Sequence, residues 1–128
     1  MTDREVISIP TVELDWSPWV SWMSIWDDAR SGGINIPNRA PGVYEARATD
    51  REERLTIGKA ADLRMRVRQG LVKGKTPHSA GTRIRANEDL QAILVRWAVT
   101  DRPAAVEEEF HRRHRARFGS LPKYVEHT

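Results

Sequence analysis

The residues between Lys59 and Arg85 carry the strongest chemical signal in the sequence. They include eight basic side chains and one acid, Asp62. Basic side chains clustered this densely are typical of a surface that binds phosphate groups, although a helix also uses arginine simply to stay soluble. The basic side chains are Lys59, Arg64, Arg66, Arg68, Lys73, Lys75, Arg83 and Arg85.

The charge of the whole chain shows the same polarity. Residues 1–60 hold 7 basic and 10 acidic residues, whereas residues 61–128 hold 14 basic and 8 acidic residues. The net charge of +3 therefore comes from the second half of the chain. This distribution favours a partner that carries phosphate groups.

Metal chemistry is restricted because the sequence contains no cysteine. A bound metal would need oxygen or imidazole ligands, which favours hard divalent cations. Carboxylates are concentrated at Glu107, Glu108 and Glu109, a run that also suits an acidic first turn complementing a helix dipole. His78 and His111 could supply hydrogen-bond donors or acid–base groups, but each could equally be an ordinary loop or surface histidine.

Three strands are predicted to position these groups. The segments GVYEARA at 42–48 and RLTIG at 54–58 flank a polar turn, which predicts a hairpin. The run AILVRWAV at 92–99 is rich in β-branched and aromatic residues and predicts a third, central strand.

A helix is predicted directly behind the hairpin, because four apolar residues recur at helical spacing. On this helix Arg66 borders the apolar stripe on one side, whereas Arg64 and Arg68 border it on the other. The segment KGKTPHSAG at 73–81 then predicts an exposed basic loop. The apolar stripe consists of Ala60, Leu63, Val67 and Leu71.

The last predicted helix carries the glutamates. A short helical turn is expected near 85–90, before the third strand, and the last helix follows that strand. Thr100 or Asp101 would cap it, Pro103 suits its first turn, and Gly119 would end it.

A further helix is predicted near the N-terminus, beginning with Ser17 as its cap and Pro18 in its first turn and ending at SGG, residues 31–33. Its tryptophan stripe could stack bases or dock a partner, but this spacing more often seats a helix on its own core. The stripe consists of Trp19, Trp22, Met23 and Trp26.

These elements predict an α/β fold with a small three-stranded, mainly antiparallel sheet flanked by helices and an extra N-terminal helix. A chain of 128 residues fits one domain. We therefore expect residues 1–41 to pack as a helix and extended connection on a domain formed by residues 42–128.

The order of these elements resembles the signature of the GIY-YIG endonuclease family. That signature is a G-x-Y strand, a Y-I/V-G strand, an arginine eight residues past the second glycine, and a glutamate on a later helix. Here GVY at 42–44 and TIG at 56–58 stand on the two strands, and Arg66 lies 8 residues past Gly58. The resemblance covers residues 42–124 and leaves out the N-terminal helix.

The resemblance implies a metal-dependent endonuclease that hydrolyses DNA phosphodiester bonds. Tyr44 would orient or deprotonate the attacking water, and Arg66 would hold the scissile phosphate. Lys59 would lower the pKa of Tyr44, because a free phenol is a poor base at neutral pH. His78 is a further catalytic candidate.

Glu107 would bind one Mg²⁺ or Mn²⁺ ion in this scheme. Members of the family place an apolar residue just before the glutamate and another three residues after it, as Val106 and Phe110 stand around Glu107. Glu109 is held in reserve as the metal ligand. The remaining basic residues, Arg64, Arg68, Lys73, Lys75, Arg83 and Arg85, would bind the nucleic acid.

Two residues depart from the family pattern. Thr56 stands where the family usually has its second tyrosine, and Val125 stands where many members have asparagine. The alternatives are therefore a catalytically impaired DNA-binding module, or a small protein-interaction domain that docks through its tryptophan helix.

The expected location is the cytoplasm, without membrane attachment. No apolar run approaches the roughly 20 residues of a membrane span, and the first residues lack a secretion-signal pattern. Cutting both strands of DNA with one active site would require a homodimer or successive nicking.

Overall fold

A four-stranded antiparallel sheet forms the centre of the computed structural model, which describes residues 12–27 and 34–126. The sheet order is β1-β4-β2-β3. The α/β class is confirmed, with four strands rather than three. The strands are β1 (Val20–Ser21), β2 (Gly42–Ala48), β3 (Arg54–Ala60) and β4 (Ile93–Val99).

Four helices pack on the two faces of the sheet, and a short 3₁₀ turn, Leu90–Ala92, precedes β4. In the described part of the chain, no helix has the length and apolar character to cross a membrane. The helices are α1 (Trp22–Trp26), α2 (Met65–Val72), α3 (Ser79–Asn87) and α4 (Pro103–Phe118).

The predicted hairpin is formed by β2 and β3. Tyr44 pairs with Gly58 and Ala46 pairs with Thr56, so these side chains share one face of the sheet. Strand β2 has the predicted bounds, whereas β3 continues two residues beyond the prediction to Ala60, which pairs with Gly42.

The alternation of β2 separates two apolar clusters. Tyr44 and Ala46 belong to the larger cluster, which α1, α2 and α3 cover. Val43 points to the opposite face, where it joins Ala98 and Val106 of α4. Burying a whole apolar side chain such as that of Val43 stabilises the fold by roughly 1.5–3 kcal/mol. The larger cluster includes Trp22, Ile25, Leu63, Val67, Leu71, Ile84, Val95 and Trp97.

Helix α2 has a π-helical backbone over Met65–Val72, after a short α-helical start at Leu63. The amide of Lys73 donates to the carbonyl of Arg68 at 3.0 Å, an i to i−5 bond. The prediction of a helix starting at Ala60 was wrong by three residues, because Ala60 completes the β3 ladder. A wide helical turn of this kind often occurs at functional sites.

Helix α3 occupies residues that the sequence assigned to an exposed loop and a short turn. His78 caps it, because its Nδ1 accepts the Gly81 amide at 2.9 Å. The expected loop therefore ends at His78. Histidine is an uncommon helix cap, and Gly81 within the first turn suggests a loop in the sequence.

The predicted N-terminal helix is mostly absent from the described residues. Ser17 lies beside β4, where its amide donates to the Trp97 carbonyl at 2.8 Å and its hydroxyl accepts the Trp97 amide at 3.0 Å. Helix α1 begins only after Ser21, whose hydroxyl accepts the Ser24 amide at 3.1 Å. The predicted stop at residues 31–33 lies outside the described residues.

The tryptophans of the predicted stripe have different environments. Trp22 is completely buried in the core, but Trp26 is 53% exposed. Trp19 precedes α1 and stacks with Arg96 and Arg47, whose guanidinium carbons lie 4.5 and 4.6 Å from its ring centroid. A core role is therefore confirmed for Trp22 and is wrong for Trp26.

Helix α4 and the C-terminal tail enclose the free edge of β3. The helix begins at Pro103, and Gly119 ends it in the left-handed region with φ 83°, as predicted. In the tail, the amides of Lys123 and Tyr124 donate to the carbonyls of Arg54 and Leu55. Bonds of this kind satisfy an edge strand that would otherwise be exposed.

Candidate active site

An open cavity of about 720 Å³ lies at the β3 edge, where α2, α3 and α4 meet the hairpin. It collects five residues from different elements that the sequence assigned to catalysis or metal binding. These residues are Tyr44, Lys59, Arg66, His78 and Glu107.

Tyr44 reaches the cavity by crossing over the neighbouring strand. A Cβ atom at Gly58 would lie 2.3 Å from the Tyr44 hydroxyl oxygen, well inside van der Waals contact. Glycine at position 58 therefore gives the tyrosine ring its path across β3, which accounts for the pairing of GVY with TIG in adjacent strands.

His78 holds the Tyr44 hydroxyl in a defined hydrogen-bond geometry. The Nε2 atom of His78 lies 2.7 Å from the Tyr44 hydroxyl oxygen. Because Nδ1 accepts the Gly81 amide, the neutral ring carries its proton on Nε2. His78 is therefore assigned as the donor to Tyr44.

Arg66 is the cation that acts on this hydroxyl. Burial raises the pKa of Tyr44 to about 12, and the Arg66 guanidinium opposes the rise. Arg66 donates to the Pro77 carbonyl at 3.1 Å. With the His78 donor on the oxygen, the phenolic proton is available to another group.

Lys59 does not have the effect on Tyr44 that the sequence analysis expected. It pairs with Val43, so its side chain projects from the opposite face of the sheet and is exposed. The pKa of Tyr44 is raised rather than lowered, and the cation that acts on it is Arg66.

The environment of His78 disfavours its charged form. Burial lowers its pKa to about 4, and the nearby cations Arg66 and Arg85 act in the same direction. His78 is therefore neutral at physiological pH, which keeps the Nε2–H donor in place.

We expect His78 to make the protein less stable in acid. The groups facing it are Tyr44, Arg66 and Arg85. The pKa of His78 is 6.5 in the unfolded chain and about 4 in the folded protein. The stabilisation that neutral His78 contributes is therefore complete above pH 6.5 and is lost as the pH falls toward 4. The free energy of unfolding should fall by up to about 3 kcal/mol over this range. Urea denaturation at about pH 7.5 and about pH 5 measures it.

His78→Asn is the matched variant for this prediction. Asparagine can still accept the Gly81 amide as a helix cap but does not titrate. The free energy of unfolding of the variant should depend less on pH than that of the wild type. Equal dependence in both proteins would show that His78 does not carry the effect.

Glu107 is the glutamate of the 107–109 run that lines this cavity. Glu108 is exposed. Glu109 is engaged by Arg112 at 2.6 Å and Arg113 at 3.4 Å, and it lines a separate cavity beside the N-terminal segment. The reserve candidate Glu109 therefore lies away from Tyr44 and Arg66.

His111 anchors the helix that presents Glu107. It is buried, and its Nε2 lies 2.8 Å from the Ile57 carbonyl oxygen, to which it donates. This bond fixes α4 against β3 one turn after Glu107. Among the described residues, no group of three or more histidine, aspartate or glutamate side chains could together hold a metal ion.

Both departures from the family pattern line the cavity. Thr56 is buried on the same face of the sheet as Tyr44, and Val125 lies in the tail. Tyr124, which was not among the predicted site residues, also lines the cavity and donates to Glu88 at 2.5 Å. The sequence could have indicated Tyr124, because it stands directly before Val125 in the tail.

The predicted phosphate-binding residues are dispersed rather than gathered at the cavity. Arg64 and Arg68 donate to the carbonyls of Ile36 and Ile34, which ties α2 to that segment. Arg83 pairs with Glu126 at 2.9 Å. These three contacts are structural, and the lining of the cavity includes none of the six residues Arg64, Arg68, Lys73, Lys75, Arg83 and Arg85.

Comparison of the chain with protein-family models, with curated proteins and with solved structures gave no match.

Proposed function

We propose that this protein is a metal-dependent endonuclease that hydrolyses DNA phosphodiester bonds with chemistry of the GIY-YIG kind. The observation that carries the proposal is the convergence of four side chains from four elements on one cavity. Tyr44 comes from β2, Arg66 from α2, His78 from the start of α3 and Glu107 from α4.

Arg66 is the proposed phosphate ligand. Hydrolysis joins a water oxygen to phosphorus and breaks one P–O ester bond, while a proton of the water passes through solvent to the leaving oxygen. Negative charge accumulates on the phosphoryl oxygens during this step. Arg66 uses one donor toward the Pro77 carbonyl. A guanidinium has five N–H donors, which leaves donors for the phosphate.

Tyr44 is proposed to orient the attacking water or a phosphoryl oxygen by donating its phenolic proton. A pKa of about 12 supports this role over general-base catalysis, because the phenol stays protonated near neutral pH. His78 donates to the phenolic oxygen and so restricts the direction of that proton.

Glu107 is the residue that would hold Mg²⁺ or Mn²⁺. Its carboxylate is partly buried at the cavity and makes no side-chain hydrogen bond or ion pair with the described residues, which fits a hard cation. The bound ion would neutralise charge on the leaving oxygen. One carboxylate leaves most of the shell to water and phosphate, so metal affinity without DNA should be weak.

Incubation of supercoiled plasmid with Mg²⁺, Mn²⁺ or EDTA tests the proposal. We expect nicked circles with either metal and intact plasmid with EDTA, because the reaction needs the cation at Glu107. A Glu107→Gln protein, purified in parallel, controls for contaminating nucleases. Equal nicking with EDTA would exclude the metal role, and equal nicking by the variant would indicate a contaminant.

The second candidate function is DNA binding without cleavage. Thr56 and Val125 favour it, because both stand at the cavity where the family has hydrogen-bonding side chains. Binding that weakens steeply with salt, in the absence of nicking with any metal, would select this candidate.

A further inference from the structure

Arg85 joins the end of α2 to the start of α3. Its Nη1 donates to the carbonyls of Gly70 at 3.0 Å and Leu71 at 2.5 Å. Its Nη2 donates to the Thr82 hydroxyl at 3.1 Å. One guanidinium therefore gives the Leu71 carbonyl in the last turn of α2 a partner, and it adds a second donor to the Gly70 carbonyl, which also accepts the Gly74 amide at 3.2 Å. It also contacts Thr82 in the first turn of α3, the helix on which Arg85 itself stands.

The Thr82 hydroxyl extends this connection to His78. It donates to the His78 carbonyl at 3.0 Å while it accepts from Arg85. The His78 ring is fixed from the same turn, because the Gly81 amide donates to its Nδ1 at 2.9 Å. Backbone and ring of His78 thus both depend on the first turn of α3.

The two helix ends are also in close contact. A Cβ atom at Gly81 would lie 2.7 Å from the Leu71 carbonyl oxygen. The positive φ of 69° at Gly74 lets the chain turn beneath the guanidinium of Arg85, 2.7 Å from where a Cβ would stand. The turn from α2 into α3 is therefore packed around Arg85.

We propose that Arg85 is a positioning residue, which ties α2 to α3 and thereby holds the Nε2–H of His78 against the Tyr44 hydroxyl. This assigns Arg85 a different role from the phosphate ligand that the sequence predicted. The consequence for cutting depends on the function proposed above, whereas the effect on His78 does not.

The charge of Arg85 has a second consequence at His78. It is one of the two cations that lower the pKa of the imidazole. Removing it should make protonation of His78 easier, and a protonated ring would lose the Gly81 bond because Nδ1 would become a donor. The hydrogen bonds of His78 and the charge of Arg85 therefore both favour the neutral ring with its proton on Nε2.

Three variants of the full chain test the proposal. Arg85→Gln removes the charge and the planar guanidinium, and Arg85→Lys keeps the charge without the guanidinium. Asn87→Ala is the control on the same helix, because Asn87 is exposed and its side chain bonds to the Arg83 carbonyl. The measurements are the NMR titration of His78, assigned with His78→Asn, the hydrogen exchange of the Gly81 amide, and DNA affinity and cutting rate.

For Arg85→Gln we expect the titration midpoint of His78 to rise by about half a pH unit or more, and the Gly81 amide to exchange faster. Cutting should fall about tenfold or more with little change in DNA affinity. Arg85→Lys should keep the low midpoint but show faster Gly81 exchange and partial activity. Asn87→Ala should resemble the wild type in all measurements.

Wild-type titration and exchange in both Arg85 variants would overturn the proposal, as would a loss of DNA affinity alone. If Arg85→Gln does not fold, the exchange of the Gly81 amide and the cutting rate of Arg85→Lys decide whether the proposal holds. If the wild type cuts no DNA, the proposed function fails, and the His78 titration with the Gly81 exchange still decides the role of Arg85.

Discussion

Arg66→Ala should reduce the rate of DNA cleavage by about two to three orders of magnitude. The variant loses a preorganised charge at the reacting phosphate, and loss of one such donor typically has an effect of about this size. Its stability should change by about 1 kcal/mol or less, because Arg66 lies at the cavity and its one backbone bond, to Pro77, is exposed. Single-turnover cutting of a labelled duplex measures the rate.

Arg64→Ala is the matched control for Arg66. Arg64 stands two residues earlier, but its guanidinium bonds to the Ile36 carbonyl at 2.7 Å and the Asn35 side chain at 3.1 Å. It should therefore lose some stability while cutting at nearly the wild-type rate. An equal loss of cutting in both variants would show that Arg66 has no special role at the phosphate.

The core of the fold was predictable where local pattern and tertiary packing agree. Strand β2 alternates between two buried faces, and α4 has proline at its start and a left-handed glycine at its end. In both elements the residues that set the boundaries act through their own backbone preferences. Such preferences do not depend on distant contacts, so the sequence alone predicts them.

The N-terminal segment was predicted wrongly because a distant strand determines its conformation. Ser17 and Pro18 are good residues for a helix start, yet Ser17 exchanges two hydrogen bonds with Trp97, eighty positions later. The stacking of Trp19 on Arg96 and Arg47 adds to this extended conformation. Helical spacing of tryptophans is a local signal and contains no information about β4.

The density of basic residues predicted the neighbourhood of the site but not which residues line it. Charge along a sequence does not reveal the direction of each side chain, and the π-helical turn of α2 changes the spacing assumed by a helical wheel. Arg66 points to the cavity, whereas Arg64 and Arg68 bond to the segment at 34–36. The convergence of Tyr44, His78 and Glu107 likewise needed the three-dimensional arrangement.

Glu107→Ala should abolish most metal-dependent cutting, with a loss of about two to three orders of magnitude. The same substitution removes a negative charge from the cavity, so DNA binding without metal should be preserved or become tighter. Arg66→Ala should instead weaken binding somewhat, which separates the two roles. Filter binding in EDTA and cutting in Mg²⁺ measure the two effects.

Glu108→Ala is the internal control, because Glu108 adjoins Glu107 on α4 but is exposed to solvent. It removes the same charge from the same turn, so a general electrostatic effect of the helix on DNA would appear equally in both variants. A specific ligand role predicts wild-type cutting for Glu108→Ala and loss for Glu107→Ala. If Glu108→Ala abolishes cutting and Glu107→Ala does not, the metal ligand must be reassigned. The position of Glu107 beside Tyr44 and Arg66 would then have no catalytic meaning.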